Sequence, residues 1–309
     1  MYRDQASTAW VYLLLGPYGM SPRLSVVIAS VNGLGCIVEC LEKLEAQTAR
    51  DQMEVIVVDR RTDGTAEAVA RRFPWVVLLA GRTGRSIPEL RWEGMRAARG
   101  DWIAVIEDHC MVPPGWAAAI LSYDDSPYGV VGGPVENGAR DRLLDWAFFL
   151  AEYGPCMPPL AEGETDAVPG NNAAYRRSVL PLGGEGWARL WESFLQNELR
   201  KMGVRVFLSE ALLLYHKKSF RLGEMLEQRY LYSRSFAAMR GKSLLRAVLA
   251  LALPPVLLVR MIRCLAAKRR NGKEFLLGLP VVALFLLSWA AGEMVGHLAG
   301  AGDSLARVE

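Results

Sequence analysis

Residues Trp102–Cys110 read WIAVIEDHC. Five apolar residues run without alternation into Glu107, Asp108 and His109, and a Pro-Pro-Gly turn follows at Pro113–Gly115. An unbroken apolar run ended by polar residues predicts a strand buried on both faces whose tip leaves the core. A solvated strand end accounts for one acid. Two acids and a histidine raise the alternative of a metal or a polar ligand, and the neighbouring segments weigh the two.

Upstream, Leu24–Ala29, Glu54–Asp59 and Val76–Ala80 are further short apolar runs rich in β-branched residues. Helical patterns separate them at Cys36–Gln47, Ala66–Arg72 and Glu89–Arg99, the last closed by Gly100 as a C-cap signal. Buried strands alternating with helices predict an α/β fold, a mostly parallel sheet with helices on both faces. In such sheets ligands bind beyond the carboxyl ends of the strands. Three polar clusters fall at those ends: Ser30-Val31-Asn32, Asp59 with Asp63, and Glu107-Asp108-His109. Their convergence on one edge favours a site. Downstream the pattern predicts a helix after Trp116, a strand over Gly129–Val135, a helix over Leu143–Tyr153 and a mobile loop over Gly154–Gly170. A helix over Leu190–Met202 and strands at Val204–Leu208 and Ala211–Tyr215 follow, ending before His216.

Composition narrows the function. A net charge of +3 and the lack of basic blocks between aromatics argue against a nucleic-acid partner. The five cysteines form no CxxC pair, which fits a reducing compartment. Ala9–Leu15 is apolar but too short for a signal peptide. Gly33 and Gly35 begin a dinucleotide fingerprint that Val38 fails to complete.

Taken in order from roughly Pro22 to Arg240, these motifs resemble the inverting glycosyltransferases of family two, which have the Rossmann-like GT-A fold. The resemblance implies that Ala29 and Ser30 end the strand that contacts the donor base and that Asp59 accepts a hydrogen bond from it. Arg60 and Arg61 stand where the family usually has an acid or amide followed by Gly and Ser. Arg91 and Gly94 match an Arg-Asn-x-Gly segment in which Trp92 replaces Asn. Glu107-Asp108-His109 falls on the family's Asp-x-Asp motif, so Glu107 and Asp108 are expected at the ribose and the metal shell, and His109 on the metal itself. An imidazole donor suits Mn2+ better than Mg2+. His216 is expected near the same metal and the diphosphate. Gly170, Asn171 and Asn172 match the segment under the acceptor. Glu192 falls on the catalytic base, with Trp191 replacing the acid before it.

The implied reaction is a single in-line displacement. A sugar leaves a nucleotide-diphosphate donor for a lipid or lipid-linked acceptor as a carboxylate removes the acceptor proton. A divalent cation would neutralise the departing diphosphate. A nucleotidyltransferase would carry a basic, glycine-rich phosphate loop, and Asn32-Gly33-Leu34-Gly35 has no basic residue. The replacements at Arg60, Trp92 and Trp191 leave a membrane-tethered scaffold with a decayed site as the non-enzymatic alternative.

The apolar excess lies mostly after residue 243. Ser219–Arg246 predicts a basic, aromatic amphipathic helix suited to an anionic membrane surface. Ala247–Val259 is apolar for only about thirteen residues and holds Pro254-Pro255, against the roughly twenty residues a span needs. It therefore reads as interfacial or re-entrant, with a two-span hairpin or a buried helical hairpin as alternatives. Phe275–Gly292 comes closer to spanning length. The basic link from Arg260 to Lys273 belongs in the cytoplasm by the positive-inside rule. The expected organisation is an N-terminal extension (1–21), a GT-A domain (22–218), a basic interface helix (219–246), membrane-associated segments (247–300) and a tail (301–309). The expected location is the cytoplasmic face of the inner cell membrane.

Overall fold

A computed structural model of the chain describes residues 21–309. The expected N-terminal extension, Ser21 apart, and its apolar Ala9–Leu15 stretch lie outside the described residues. In chain order the first elements are β1 (Leu24–Ser30), α1 (Leu34–Glu45), β2 (Met53–Asp59), α2 (Thr65–Arg72), β3 (Val77–Leu79), α3 (Ile87–Ala97) and β4 (Trp102–Glu107). Next come β5 (Cys110–Met111), α4 (Trp116–Leu121), β6 (Val130–Gly132), β7 (Val135–Asn137), α5 (Leu143–Tyr153), β8 (Gly163–Glu164), β9 (Asn172–Arg176) and α6 (Glu192–Lys201). The chain continues through β10 (Val206–Leu208), β11 (Leu214–His216), α7 (Leu222–Met239), α8 (Leu244–Leu249), α9 (Leu253–Lys268), α10 (Gly272–Ala299) and α11 (Ser304–Arg307). The described residues form two compact units: 21–133 with Glu162–Leu214, and Pro134–Ala161 with Tyr215–Glu309.

The first unit is built on an eight-stranded sheet in the order β3-β2-β1-β4-β9-β6-β10-β8. β1 pairs in parallel with β2 and β4, and β2 with β3. All seven residues of β1 and of β2 are buried, as a sheet covered on both faces requires. Gly94 lets α3 lie directly on this sheet, because a Cβ there would overlap Val27 Cγ1.

The pattern is less uniform past β4. Asn172–Arg176, which has no strand signature in the sequence, is a strand antiparallel to both β4 and β6. Its two consecutive alanines are buried at the sheet centre. The single strand expected over Gly129–Val135 is two strands, β6 in the first unit and β7 in the second. The break falls at Gly133-Pro134. A Cβ at Gly133 would overlap the Leu212 carbonyl, and Pro134 has no N–H for a ladder. Ala211–Tyr215 is likewise not one strand, since Glu210–Leu212 is a 3-10 turn. The Gly154–Gly170 segment contains a 3-10 turn at Gly154–Cys156 and β8, which pairs antiparallel with β10.

The second unit is mainly helical. The helix expected to run unbroken over Ser219–Arg246 stops at Met239, because Gly241 takes a left-handed φ of 85°. Ser243 then caps α8 by accepting from the Arg246 N–H. α8, a 3-10 turn and α9 form a 25-residue stretch, Leu244–Lys268, that contains an 18-residue window of mean hydropathy 2.0. The apolar run is therefore longer than its uncharged core in the sequence. Pro254-Pro255 occupies the first turn of α9, where the missing N–H groups cost nothing. α10 spans 28 residues and contains an 18-residue window of mean hydropathy 2.1. By length and composition, both stretches suffice to cross a membrane. Gly292 and Gly296 fit α10 against α7, where side chains would overlap Ser233 and the Arg234 carbonyl. Leu244, Leu245, Leu251 and Val256 on one stretch, and Leu276 and Leu277 on the other, are exposed. Between the stretches, Lys268 Nζ donates to the Met157 and Pro159 carbonyls, and Arg270 Nη2 to Glu136 Oε2 at 2.7 Å.

Candidate active site

The site is assembled at the carboxyl ends of β1, β2 and β4 within the first unit. Ser30 and Asp59 are register partners at the ends of β1 and β2, and both are fully buried. Ser30 Oγ and the Arg61 N–H lie toward the Asp59 carboxylate and favour its charged form, but neither completes a hydrogen bond of good geometry with it. Burial pushes the Asp59 carboxyl above its ordinary range. Buried polar atoms without partners are rare and point to a ligand. Asp59 is thus an acceptor held ready beyond two adjacent strands. Ala29, next to Ser30, is buried and pairs in register with Glu107 on β4.

The expected departures at Arg60 and Arg61 have a structural place. Arg61 Nε donates to Asp63 Oδ2 at 2.9 Å, and its Nη1 to the Val31 carbonyl at 3.2 Å. The turns after β1 and β2 are thereby tied together. The Thr65 hydroxyl, the largest influence, and the Arg61 guanidinium hold the Asp63 carboxyl down to about 2.

Beyond β4 the three polar residues separate into distinct roles. Asp108 is fully buried and accepts from the Val31 and Asn32 N–H groups, each at 2.8 Å, and from Asn32 Nδ2 at 2.7 Å. His109 Nδ1 lies 2.8 Å from Asp108 Oδ1. Burial raises the Asp108 carboxyl, but these donors outweigh it and hold it below its ordinary range. Asp108 Oδ1 can only accept, so His109 Nδ1 carries a proton toward it and Nε2 is the nitrogen turned to Glu107. That Nε2 lies 3.4 Å from Glu107 Oε2. Nitrogen and oxygen donors from one strand end therefore fit a divalent cation, with Asp108 fixing the imidazole from behind. Asp108 itself spends its oxygens on the β1–α1 turn and on His109.

Glu107 also meets Arg91, a buried residue of α3, whose Nη2 donates to Glu107 Oε1 at 3.1 Å. Arg91 Nη1 makes a close ion pair with Glu192 Oε1. One guanidinium thus joins the cation-side carboxylate to the expected base across 101 residues of sequence. Glu192 opens α6 and is buried. Gly170 packs against it, because a Cβ there would stand 2.8 Å from Glu192 Cβ and 3.1 Å from Oε2. Gln196, one turn along α6, bonds both the N–H and the carbonyl of Val168 and the Tyr175 hydroxyl. It locks the helix to the segment leading into Gly170.

The structure separates the two asparagines of this segment. Asn171 Nδ2 reaches Glu107 Oε2 at 3.3 Å, and its Oδ1 has no partner among the described residues. Asn172 turns into the fold, where it donates to the Leu212 carbonyl at 2.5 Å and accepts from Trp116 Nε1 at 3.1 Å. His216 ends β11 in the second unit, buried, with the Phe148 and Tyr153 rings beside it. Two contributors escaped the sequence reading. Asn32 was visible only as part of a strand-end cluster, and Gln196 only as a polar residue in a helix.

Residues 25–181 match the sequence profile of glycosyl transferase family 2. The chain belongs to that family. It is a nucleotide-sugar-dependent glycosyltransferase. No curated protein sequence matches it. Among solved structures it is similar to the mannosyltransferase PcManGT from Pyrobaculum calidifontis in complex with GDP-Man and Mn2+. That likeness has a TM-score of 0.56 at 22% identity and covers 94% of each chain. It supports the GT-A architecture of this glycosyltransferase.

Proposed function

We propose that this glycosyltransferase is a divalent-metal-dependent, inverting enzyme that moves a sugar from a nucleotide-diphosphate donor to a lipid or lipid-linked acceptor at the cytoplasmic face of the membrane. The observation that carries the reading is the clamp of Arg91 between Glu107 and Glu192, at the strand ends that also hold Asp59 and His109.

In this reading Asp59 accepts from the donor base, beside Ala29 and Ser30. Glu107 takes the ribose side and joins His109 Nε2 at the cation, with Asp108 orienting the imidazole. A bound Mn2+ or Mg2+ would supply charge neutralisation for the leaving diphosphate. Glu192 receives the acceptor proton at Oε2, since Oε1 is held by Arg91. Gly170 leaves room for that oxygen, and Asn171 presents its unpartnered Oδ1 on the acceptor side. His216 keeps the metal-side role that the family motif implies, and Asn172 supports the acceptor segment through Trp116.

The exposed apolar side chains of α8 to α10 support a membrane surface. The bonds from Lys268 and Arg270 to Met157, Pro159 and Glu136 keep the basic link with polar backbone of its own unit. They support a hairpin lying in the cytoplasmic interface over one crossing twice. The donor test is calorimetric titration of GDP-mannose, UDP-sugars and dTDP-sugars into liposome-reconstituted protein, with and without Mn2+. One donor class is expected to bind only with metal and to weaken in Asp59→Asn. Metal-independent binding of every donor, or of none, would overturn the assignment. Flotation with anionic vesicles tests the membrane reading, which fails if Leu245→Glu with Val256→Glu floats like the wild type.

A further inference from the structure

A second polar groove lies on the first unit and adjoins the end of β2, where the Arg82 N–H donates to the Asp59 carbonyl at 3.2 Å. It is lined by Arg82, Arg85, Arg96 and Arg189 with Glu89, Glu93, Trp92 and Ala188. Four arginines face two glutamates, so the lining is net cationic. The glutamates are already engaged. Glu89 Oε2 caps α3 through the Ser86 N–H and hydroxyl, and its Oε1 accepts from Arg189 Nε at 3.1 Å. Glu93 accepts from Arg82 Nε at 2.6 Å. The Arg82 and Arg189 contacts use the Nε edge, Arg85 Nη1 lies 3.6 Å from Glu89 Oε1, and Arg96 is exposed with no ion pair among the described residues.

Trp92 supplies the independent observation. It is 5% exposed, it lines this groove, and its buried Nε1–H has no partner among the described residues. A buried donor without an acceptor, in the lining of a groove that also carries four guanidinium groups, is the complement of an oxyanion. Trp92 adjoins Arg91 on α3, and Arg189 lies three residues before Glu192. The helix that carries Arg91 and the segment that leads into Glu192 therefore also wall the groove.

We infer that this groove is an oxyanion subsite for the acceptor, taking a phosphate or carboxylate group of the molecule that receives the sugar. The inference rests on the transferase reading above. It also accounts for the tryptophan that stands where an asparagine was expected, as the donor that an anionic acceptor requires.

Calorimetric titration of decyl phosphate, below its micelle concentration, and of glucuronate separates a lipid phosphate from an acidic sugar. Binding of at least one probe is expected with or without nucleotide present. Loss of the charged arms in Arg96→Gln with Arg189→Gln is expected to weaken it roughly tenfold. Trp92→Phe, which keeps most of the ring volume, is expected to weaken it roughly threefold to tenfold. Donor affinity should stay unchanged in both variants. Neither probe binding, or equal binding in the arginine double variant, overturns the inference. Because Arg96 is exposed and Arg189 lies outside α6, that variant is readable even if Trp92→Phe misfolds. A protein that binds a probe but no donor would overturn the transferase reading and leave the anion site standing.

Discussion

Asp108 Oδ1 lies 2.8 Å from His109 Nδ1, and the same carboxylate accepts the N–H groups of Val31 and Asn32. A single buried side chain thus fixes both the turn after β1 and the imidazole that faces Glu107. Asp108→Asn offers an N–H where acceptors are needed. Its Mn2+ affinity should fall about 10- to 100-fold, the range for a lost carboxylate behind a ligating histidine. His109→Ala should lose more. Mn2+ titration by electron paramagnetic resonance reads both, with His216→Ala beside them to test its expected role. Wild-type affinity in His109→Ala would remove the metal assignment.

Glu192→Gln should lower kcat by about 10²- to 10⁴-fold, the usual contribution of a positioned base. Donor affinity should hardly change, because Glu192 meets the acceptor proton and not the nucleotide. A comparable loss in kcat and in donor affinity would instead mark a structural residue.

Arg91→Met leaves Glu107 and Glu192 facing each other without their shared cation. Side-chain exposure of the Arg91–Glu192 pair is 5% and 9%, so removing one partner should cost about 3–5 kcal/mol of stability. Urea unfolding measures this. A midpoint within error of the wild type would mean the pair is solvated.

Gly170→Ala places a methyl group 2.8 Å from Glu192 Cβ. The base must move, so transfer should slow while metal and donor binding persist. Gly94→Ala is the contrasting variant. Its methyl group would overlap Val27 between α3 and β1, and overpacking of this kind costs about 1–3 kcal/mol. The pair separates a displaced functional group from a strained core, read by kcat and by melting temperature respectively.

Asp63 is held at about 2 against an ordinary 3.8. The unfolded chain takes up this proton first as the pH falls. The stability Asp63 contributes is therefore complete above about pH 4 and lost as the pH falls through about 2. Carbon-detected NMR should find its midpoint near 2, and Asp63→Asn should flatten acid unfolding in that window. A midpoint near 4 would mean the Thr65 and Arg61 contacts do not persist in solution.

The sequence alone determined β1, β2 and β4, because an uninterrupted apolar run has one low-energy destination, the centre of a covered sheet. It also determined that Asp59, Glu107 and His109 share an edge, since parallel strands end together. Tertiary structure decided what neighbouring letters could not. Asn172–Arg176 carries no strand periodicity, and it becomes a central antiparallel strand only because β4 and β6 offer ladders on both sides. Asp108 and Asn172 look like ligands by position, yet their hydrogen bonds run inward to Val31, Asn32, Leu212 and Trp116. Arg91 finds Glu192 across 101 residues. Local patterning reports which face of a segment avoids water, whereas the partner of a buried polar group depends on which distant element the sheet order brings beside it.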